Sequence, residues 1–149
     1  MEEATAMEAT RSHRPPKLWT LRYLEDSTQE QSACGFRYRL LSTGDETSAF
    51  AHLVRIYESK PHYHKKTTEI YFVVEGSGII TLDGEEVPLR SGACLELKPG
   101  VVHSVRGNVL VLVIGIPSII EEDLFYPEGV TADTQDELSA SRGPLATQT

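Results

Sequence analysis

His62-Tyr63-His64-Lys65-Lys66-Thr67-Thr68-Glu69 sets two histidines two positions apart and a glutamate five positions after the second. Side chains at i and i+2 of a strand point to one face, so His62 and His64 can aim at one point. The four residues between His64 and Glu69 are enough for a short bend that returns the carboxylate to that point. Further on, Lys98-Pro99-Gly100-Val101-Val102-His103 delivers another imidazole just after a turn. Three imidazoles and a carboxylate form a mixed nitrogen and oxygen donor set suited to a divalent transition metal.

Around this stretch the chain reads as short strands broken by Gly- and Pro-rich turns. Phe36 to Leu41 alternates, with Phe36, Tyr38 and Leu40 on one face, expected inside, and Arg37 and Arg39 opposite, expected at the surface. In Ala49 to Tyr57, His52, Val54 and Ile56 share a face. His52 reads as a core or rim histidine and Arg55 as a surface residue. Glu69 to Val74 is β-branched and aromatic, and Tyr71 shares the inward face of Glu69. Glu75-Gly76-Ser77-Gly78 is expected to turn this strand back into Ile79 to Leu82, and Asp83-Gly84 is a hairpin signal. Strands are also expected at Val87 to Leu89, Ala93 to Leu97 and Val102 to Val105, with Gly107-Asn108 turning into Val109 to Ile116. That last run is apolar on both parities and calls for cover on both sides, by a C-terminal segment or a second subunit.

The ends differ. Residues 1–16, with His13 among them, are polar and aperiodic and predict a disordered arm; 127–149 predict a disordered tail. Lys17 to Leu24 is expected to be a strand and Asp26 to Ser32 a polar loop. Ser118 and Glu121 resemble a capping box for one short helix, Ile119 to Phe125. The fold class is therefore all-β: a single antiparallel barrel over 17–126 with disordered tails and a short C-terminal helix.

Composition excludes several partners. The chain has 149 residues and a formal net charge of −8, with no basic run beyond Lys65-Lys66, so a nucleic-acid backbone is not expected as its ligand. No apolar stretch reaches the roughly 18 residues of a membrane span. The N-terminus lacks the apolar run of a secretory signal, so a cytoplasmic location is expected. The two cysteines, Cys34 and Cys94, form no C-x-x-C pair and read as buried and reduced. Phosphate-binding loops, dinucleotide glycine patterns and a nucleophile elbow are missing from the sequence.

His62-x-His64, four residues, Glu69, six residues, Gly76 resembles the first signature of the cupin superfamily. Gly92, Pro99-Gly100 and His103 resemble the second, and the gap from Gly76 to Gly92 is the short kind of small single-domain cupins. Ile56, Lys98 and Gly107 depart from the family's turn residues and leave the four ligand positions intact. The resemblance implies a jelly-roll barrel with His62, His64, Glu69 and His103 on a divalent ion such as Fe, Mn, Ni or Zn. It also implies a small-molecule ligand or substrate; separately, the doubly apolar last strand predicts a homodimer. The implied function is dioxygenase, isomerase or lyase chemistry, with Tyr71 a candidate catalytic residue. The alternatives are a non-catalytic barrel that binds a sugar or organic acid, and a structural barrel serving its own oligomer interface.

Overall fold

The structure, a computed structural model, describes residues 17–45 and 47–131. The expected arm at 1–16, with His13, and positions 132–149 of the expected tail lie outside the described residues.

Among the described residues, seven strands make one antiparallel sheet: β1 Gln29–Gln31, β2 Phe36–Leu41, β3 Phe50–Glu58, β4 Thr68–Leu82, β5 Glu85–Arg90, β6 Cys94–Leu97 and β7 His103–Ile116. The order is β1-β2-β3-β7-β4-β5, with β6 also on β4. The long strands β4 and β7 pair along their whole length, from Thr68 on Ile116 to Leu82 on His103. The other edge of β4 is shared, with β6 against Glu69 to Phe72 and β5 against Ser77 to Leu82.

Alternation decides what lies inside. Phe50, Val54 and Ile56 of β3, Tyr71, Val73 and Ile80 of β4, and Val105, Val109, Val111 and Val113 of β7 form one buried cluster with Leu89 and Leu97. His52, His62, Glu69 and His103 are buried polar groups within the same interior. The buried parity of β4 changes between Val73 and Ile80, because the ladder slips between Val73 and Glu75. Such a bulge flips every side chain that follows and bends the strand.

That bend corrects the expected hairpin. Gly76 and Gly78 do not reverse the chain; β4 runs through them. Gly107 and Asn108 likewise lie within β7. Gly76 has φ +86, and a Cβ there would stand 2.1 Å from the Asn108 carbonyl oxygen. These glycines permit close approach of two bent strands, a use that leaves the same sequence mark as a turn.

Other expectations also change. Lys17 to Leu24 is not a strand: it runs as coil into a 3-10 turn at Leu24–Asp26, while the supposed loop contains β1. The expected C-terminal helix is only a 3-10 turn, Glu121–Asp123, and Ser118 does not cap it. On β2 the parity is reversed. Arg37 and Arg39 pair with the inward-facing Val54 and His52, and directly opposed residues share a face. Phe36 and Tyr38 therefore face out. Arg55 faces out as expected but is covered, donating to Asn108 and pairing with Glu75. Cys94 is exposed rather than buried. The outward residues of the last strand are only half-covered, and Phe72, Val74 and Ile116 stay exposed. Among the described residues no helix is long and apolar enough to cross a membrane.

Gly76→Ala should lose about 1–3 kcal/mol of stability in urea denaturation, the cost of a side chain at positive φ pressed on backbone. A loss within about 0.5 kcal/mol, the range of ordinary surface changes, would show that the close approach is not required.

Candidate metal centre

Pairing of backbones brings the four sequence-nominated ligands together. His62 and His103 form an antiparallel bridge, with His62 N donating to His103 O at 3.1 Å and the reverse bond at 2.9 Å. Gly100 N donates to His64 O at 2.7 Å, so the Pro99-Gly100 turn pins the far side of the His-x-His segment. Glu69 opens β4 directly beside β7, opposite Gly115.

The rings are then fixed by carbonyls. Nδ1 of His62 lies 2.7 Å from Lys60 O, that of His64 2.7 Å from Asp123 O, and that of His103 3.0 Å from Val101 O. A carbonyl only accepts, so each Nδ1 carries the proton and donates it. Each Nε2 is left to face the interior. The three donor nitrogens of His62, His64 and His103 lie within 4.8 Å of one another and could hold a metal ion.

Glu69 joins them. Its Oε2 stands 3.2 Å from His64 Nε2 and 3.3 Å from His103 Nε2. These three buried atoms nonetheless lack hydrogen-bond geometry to any partner. They converge on a common point more than on each other. Two ligands about 2.1 Å from one ion stand about 3.0 Å apart in an octahedral arrangement and about 3.4 Å apart in a tetrahedral one. The two Glu69 spacings fall between, so Glu69 with His64 and His103 fits an ion that would satisfy otherwise orphaned donors, next to the three-histidine group.

Charge in the site is balanced by a proton when no cation is bound. Burial lowers His62, against the pull of the Lys60 carbonyl and Glu69. Burial likewise lowers His103. It would lower His64 too, but the Glu69 carboxylate and the Asp123 carbonyl outweigh it and raise that ring to about 9. Burial would raise Glu69, yet His103 and His64 bring it well below the usual carboxylate range. His64 thus bears a proton beside Glu69, and a cation would take that proton's place.

Asp123 carries no mark in the sequence as part of the site. It lies on the 3-10 turn, where its carboxylate accepts from the backbone N–H groups of Lys65, Lys66 and Thr67 at 2.8 to 3.2 Å. One residue therefore shapes the loop between His64 and Glu69 and orients His64 through its own carbonyl. Lys65 and Lys66 stay exposed.

Cys34 does more than pack. It stands in the bend at 33–35 with Sγ 3.4 Å from His62 Nε2. Burial, with Glu69 adding to it, pushes its thiol up to about 12. The neutral S–H therefore donates to the bare nitrogen of His62. Tyr71 is fully buried with its ring edge-on to His103, centroids 6.0 Å apart. Burial, then the Glu69 carboxylate, holds its phenol well above the ordinary value.

A cavity of about 380 Å³ is bordered by His62, His64, Glu69 and Cys34, while His103 is not among its lining residues. Its walls are Phe50, Val54, Val113, Ile119, Ile120 and Leu124, with Arg37, His52 and Glu121 as polar groups; Tyr71 is not among its lining residues. His52 is buried and stacks on Phe50 at 4.7 Å, and its Nε2 has no partner. Burial, then Arg37 and Arg39, lowers it to about 4, so it is neutral near pH 7. The two arginines, expected at the surface, stand over the cavity side of β2, clamped by Glu30 and Glu121.

Residues 55–114 match the family model of the Cupin domain. That match spans 60 of the 149 residues, and the solved structures that resemble the chain are cupin-fold proteins. An uncharacterized protein of Methanocaldococcus jannaschii is 33% identical over 66 residues, 42% of this chain and 53% of that protein. The chain thus spans about half the length of the curated relative it matches. A crystal structure of a protein from Planctomyces limnophilus shares the fold at 24% identity with a TM-score of 0.69, over 73% of this chain and 97% of that chain. Streptomyces PAC13, solved with uridine, shares it at 16% identity with a TM-score of 0.66, over 79% and 98%; that protein is a nucleoside dehydratase. The curled sheet of this chain is accordingly a jelly-roll barrel.

The arginine clamp carries a pH dependence. Burial would raise Glu30, but hydrogen bonds from Arg39 and Arg37 lower it. A depressed carboxylate stabilises the fold above its unfolded pKa of about 4.3, and that contribution is lost as pH falls through the folded value. Glu30→Gln should cost under about 1 kcal/mol at pH 7, the range of a half-exposed pair, and flatten the acid limb of the stability profile. An unchanged acid limb in the variant would contradict this.

Proposed function

We propose that this protein is a metal-dependent enzyme acting on a small organic molecule in the cavity beside His62, His64, Glu69 and His103, with those four residues as the ligands. The supporting observation is the trio of Nδ1–H groups tied to carbonyls, which leaves three Nε2 atoms and one carboxylate oxygen turned to the interior, three of these four atoms without any hydrogen-bond partner. A divalent ion held by three neutral nitrogens and one carboxylate keeps net positive charge and would act as a Lewis acid or redox centre toward a ligand. Such a site suits iron, manganese, nickel or zinc.

Among the reaction classes, proton transfer of the isomerase or lyase kind has support from His52. It is a neutral imidazole on the cavity wall, able to hold or release a proton near a bound molecule. Tyr71 has a different place in this proposal. Held far above its ordinary pKa by burial and the Glu69 carboxylate, it stays a neutral phenol packed against His103. The apolar cavity wall would exclude water and grip the non-reacting part of the substrate. With oxygen present, turnover on a panel of small acids and sugars should consume none. Oxygen uptake matching turnover would favour the dioxygenase class, and binding without turnover would favour the sugar- or acid-binding barrel.

A homodimer is also proposed. Leu18, Trp19, Leu21 and Tyr23 at the N-terminal end, and Phe72, Val74 and Ile116 on the outer sheet, are apolar and exposed in the single chain. A second copy is a suitable cover for both. Sedimentation should give twice the chain mass, and a monomer at every concentration would contradict it.

Protein purified without chelator should carry one divalent ion per chain. His62→Ala or His103→Ala should abolish stoichiometric uptake while far-ultraviolet circular dichroism stays that of a folded sheet. Full metal content in both variants would overturn the proposed ligand set.

A further inference from the structure

Besides the metal donors, the cavity wall carries a cation. Arg37 lines the cavity with only 13% of its side chain exposed. Glu30 Oε1 accepts from its Nε at 2.6 Å and Glu121 Oε1 from its Nη2 at 3.0 Å, and neither bond uses Nη1. Arg39, next along the same face of β2, shares both carboxylates, and its register partner is His52. The Nε2 atom of His52 is buried in the cavity wall without a hydrogen-bond partner. A buried imidazole nitrogen left unpaired opposes folding. Its retention beside the arginines, on the wall of an open cavity, points to a polar occupant.

The two carboxylates on the arginines are not equivalent. Glu30 belongs to β1 and is fixed there by the ladder as the register partner of Arg37. Glu121 sits on the 3-10 turn Glu121–Asp123, lines the cavity and has 61% of its side chain exposed. An ion pair so open to water contributes little, so the Glu121 carboxylate can leave for solvent at small cost. Asp123 stays tied to the backbone of Lys65, Lys66 and Thr67, so only the Glu121 side chain has to move. Its departure uncovers Nη2 of both arginines. Another carboxylate in that place restores the balance of two guanidinium groups against two carboxylates. A phosphate dianion would overcompensate, and a neutral group would leave one cation unpaired.

We propose that the cavity takes an organic monocarboxylate, whose carboxylate replaces Glu121 on Arg37 and Arg39 and which lies against His52 Nε2. The inference deepens the reading of this cavity as the substrate site and rests on it. Arg37 is then the residue that determines substrate class, because its planar fork matches a carboxylate and it is the arginine that lines the cavity. Phe50, Val54 and Val113 on the wall pack the carbon chain of the acid. A second oxygen of the acid, keto or hydroxyl, faces the metal donors.

Isothermal titration of the full chain with short-chain keto and hydroxy acids, each beside its neutral amide and an alkyl phosphate of matched length, reads this recognition directly. Wild type should bind the acids and bind their amides about 10- to 100-fold more weakly, the range of a hydrogen bond to a charged group. Arg37→Met should remove that preference. Glu121→Gln, which takes away the competing carboxylate, should tighten acid binding. No acid bound better than its amide, a preference for the phosphates, or a preference intact in Arg37→Met would overturn the inference. Should Arg37→Met fail to fold, Glu121→Gln decides the point: acid affinity unchanged or lowered refutes it. Metal content and turnover are read on the same samples. Turnover of neutral sugars by metal-loaded protein without preference for acids would sink this inference and leave the enzyme reading standing. Arg37-dependent acid binding by protein that takes up no metal would do the reverse.

Discussion

Three hydrogen bonds from imidazole to backbone carbonyl govern this molecule. A histidine ring on a strand can turn, and either nitrogen can carry its proton. Lys60 O, Val101 O and Asp123 O remove both freedoms, because each takes the Nδ1 proton and leaves Nε2 on the inner side. Two of the carbonyls come from the residue two before the histidine itself, so the local bend that presents the ring also orients it. The third comes from Asp123, on the turn that follows the last strand. The barrel supplies the backbone positions; the carbonyls turn those positions into a set of converging donors.

The same arrangement explains why so polar a cluster lies in an apolar barrel. Glu69 and His103 are almost wholly buried, next to Tyr71 and the valines of β7. Isolated, such groups would oppose folding. Here Glu69 is held ionised by His103 and His64, and His64 takes the compensating proton. The interior therefore tolerates the site without a cation yet has one positive charge that a cation can replace. The cavity repeats the pattern at lower stakes, with Arg37 and Arg39 neutralised by Glu30 and Glu121 and His52 kept uncharged.

Much of the site is legible in the sequence because its signals are local. His62 and His64 share a face by the period of a strand, and the turn before His103 is marked by Pro99-Gly100. The inward faces of β3 and of the first half of β4 follow from alternation alone. What the sequence hides is whatever depends on distant partners. Gly76 and Gly107 carry the mark of a turn, but they serve two long strands that cross closely. The parity of β2 defeats the rule that apolar residues face in, because Arg37 and Arg39 answer Glu30 on β1 and Glu121 beyond the last strand. Asp123 falls inside a supposed helix, and nothing nearby in sequence says that its carbonyl will meet His64. Cys34 precedes His62 by 28 positions, and only the folded loop shows that its thiol faces the ring.

The most direct test of the converging donors is anomalous diffraction at a metal absorption edge, from crystals of protein purified without chelator. One peak should appear within about 2.0–2.2 Å of Nε2 of His62, His64 and His103 and of a Glu69 carboxylate oxygen, the bonding distance for nitrogen and oxygen ligands. A metal peak elsewhere, or only water among those four side chains in protein shown to contain metal, would contradict the whole arrangement.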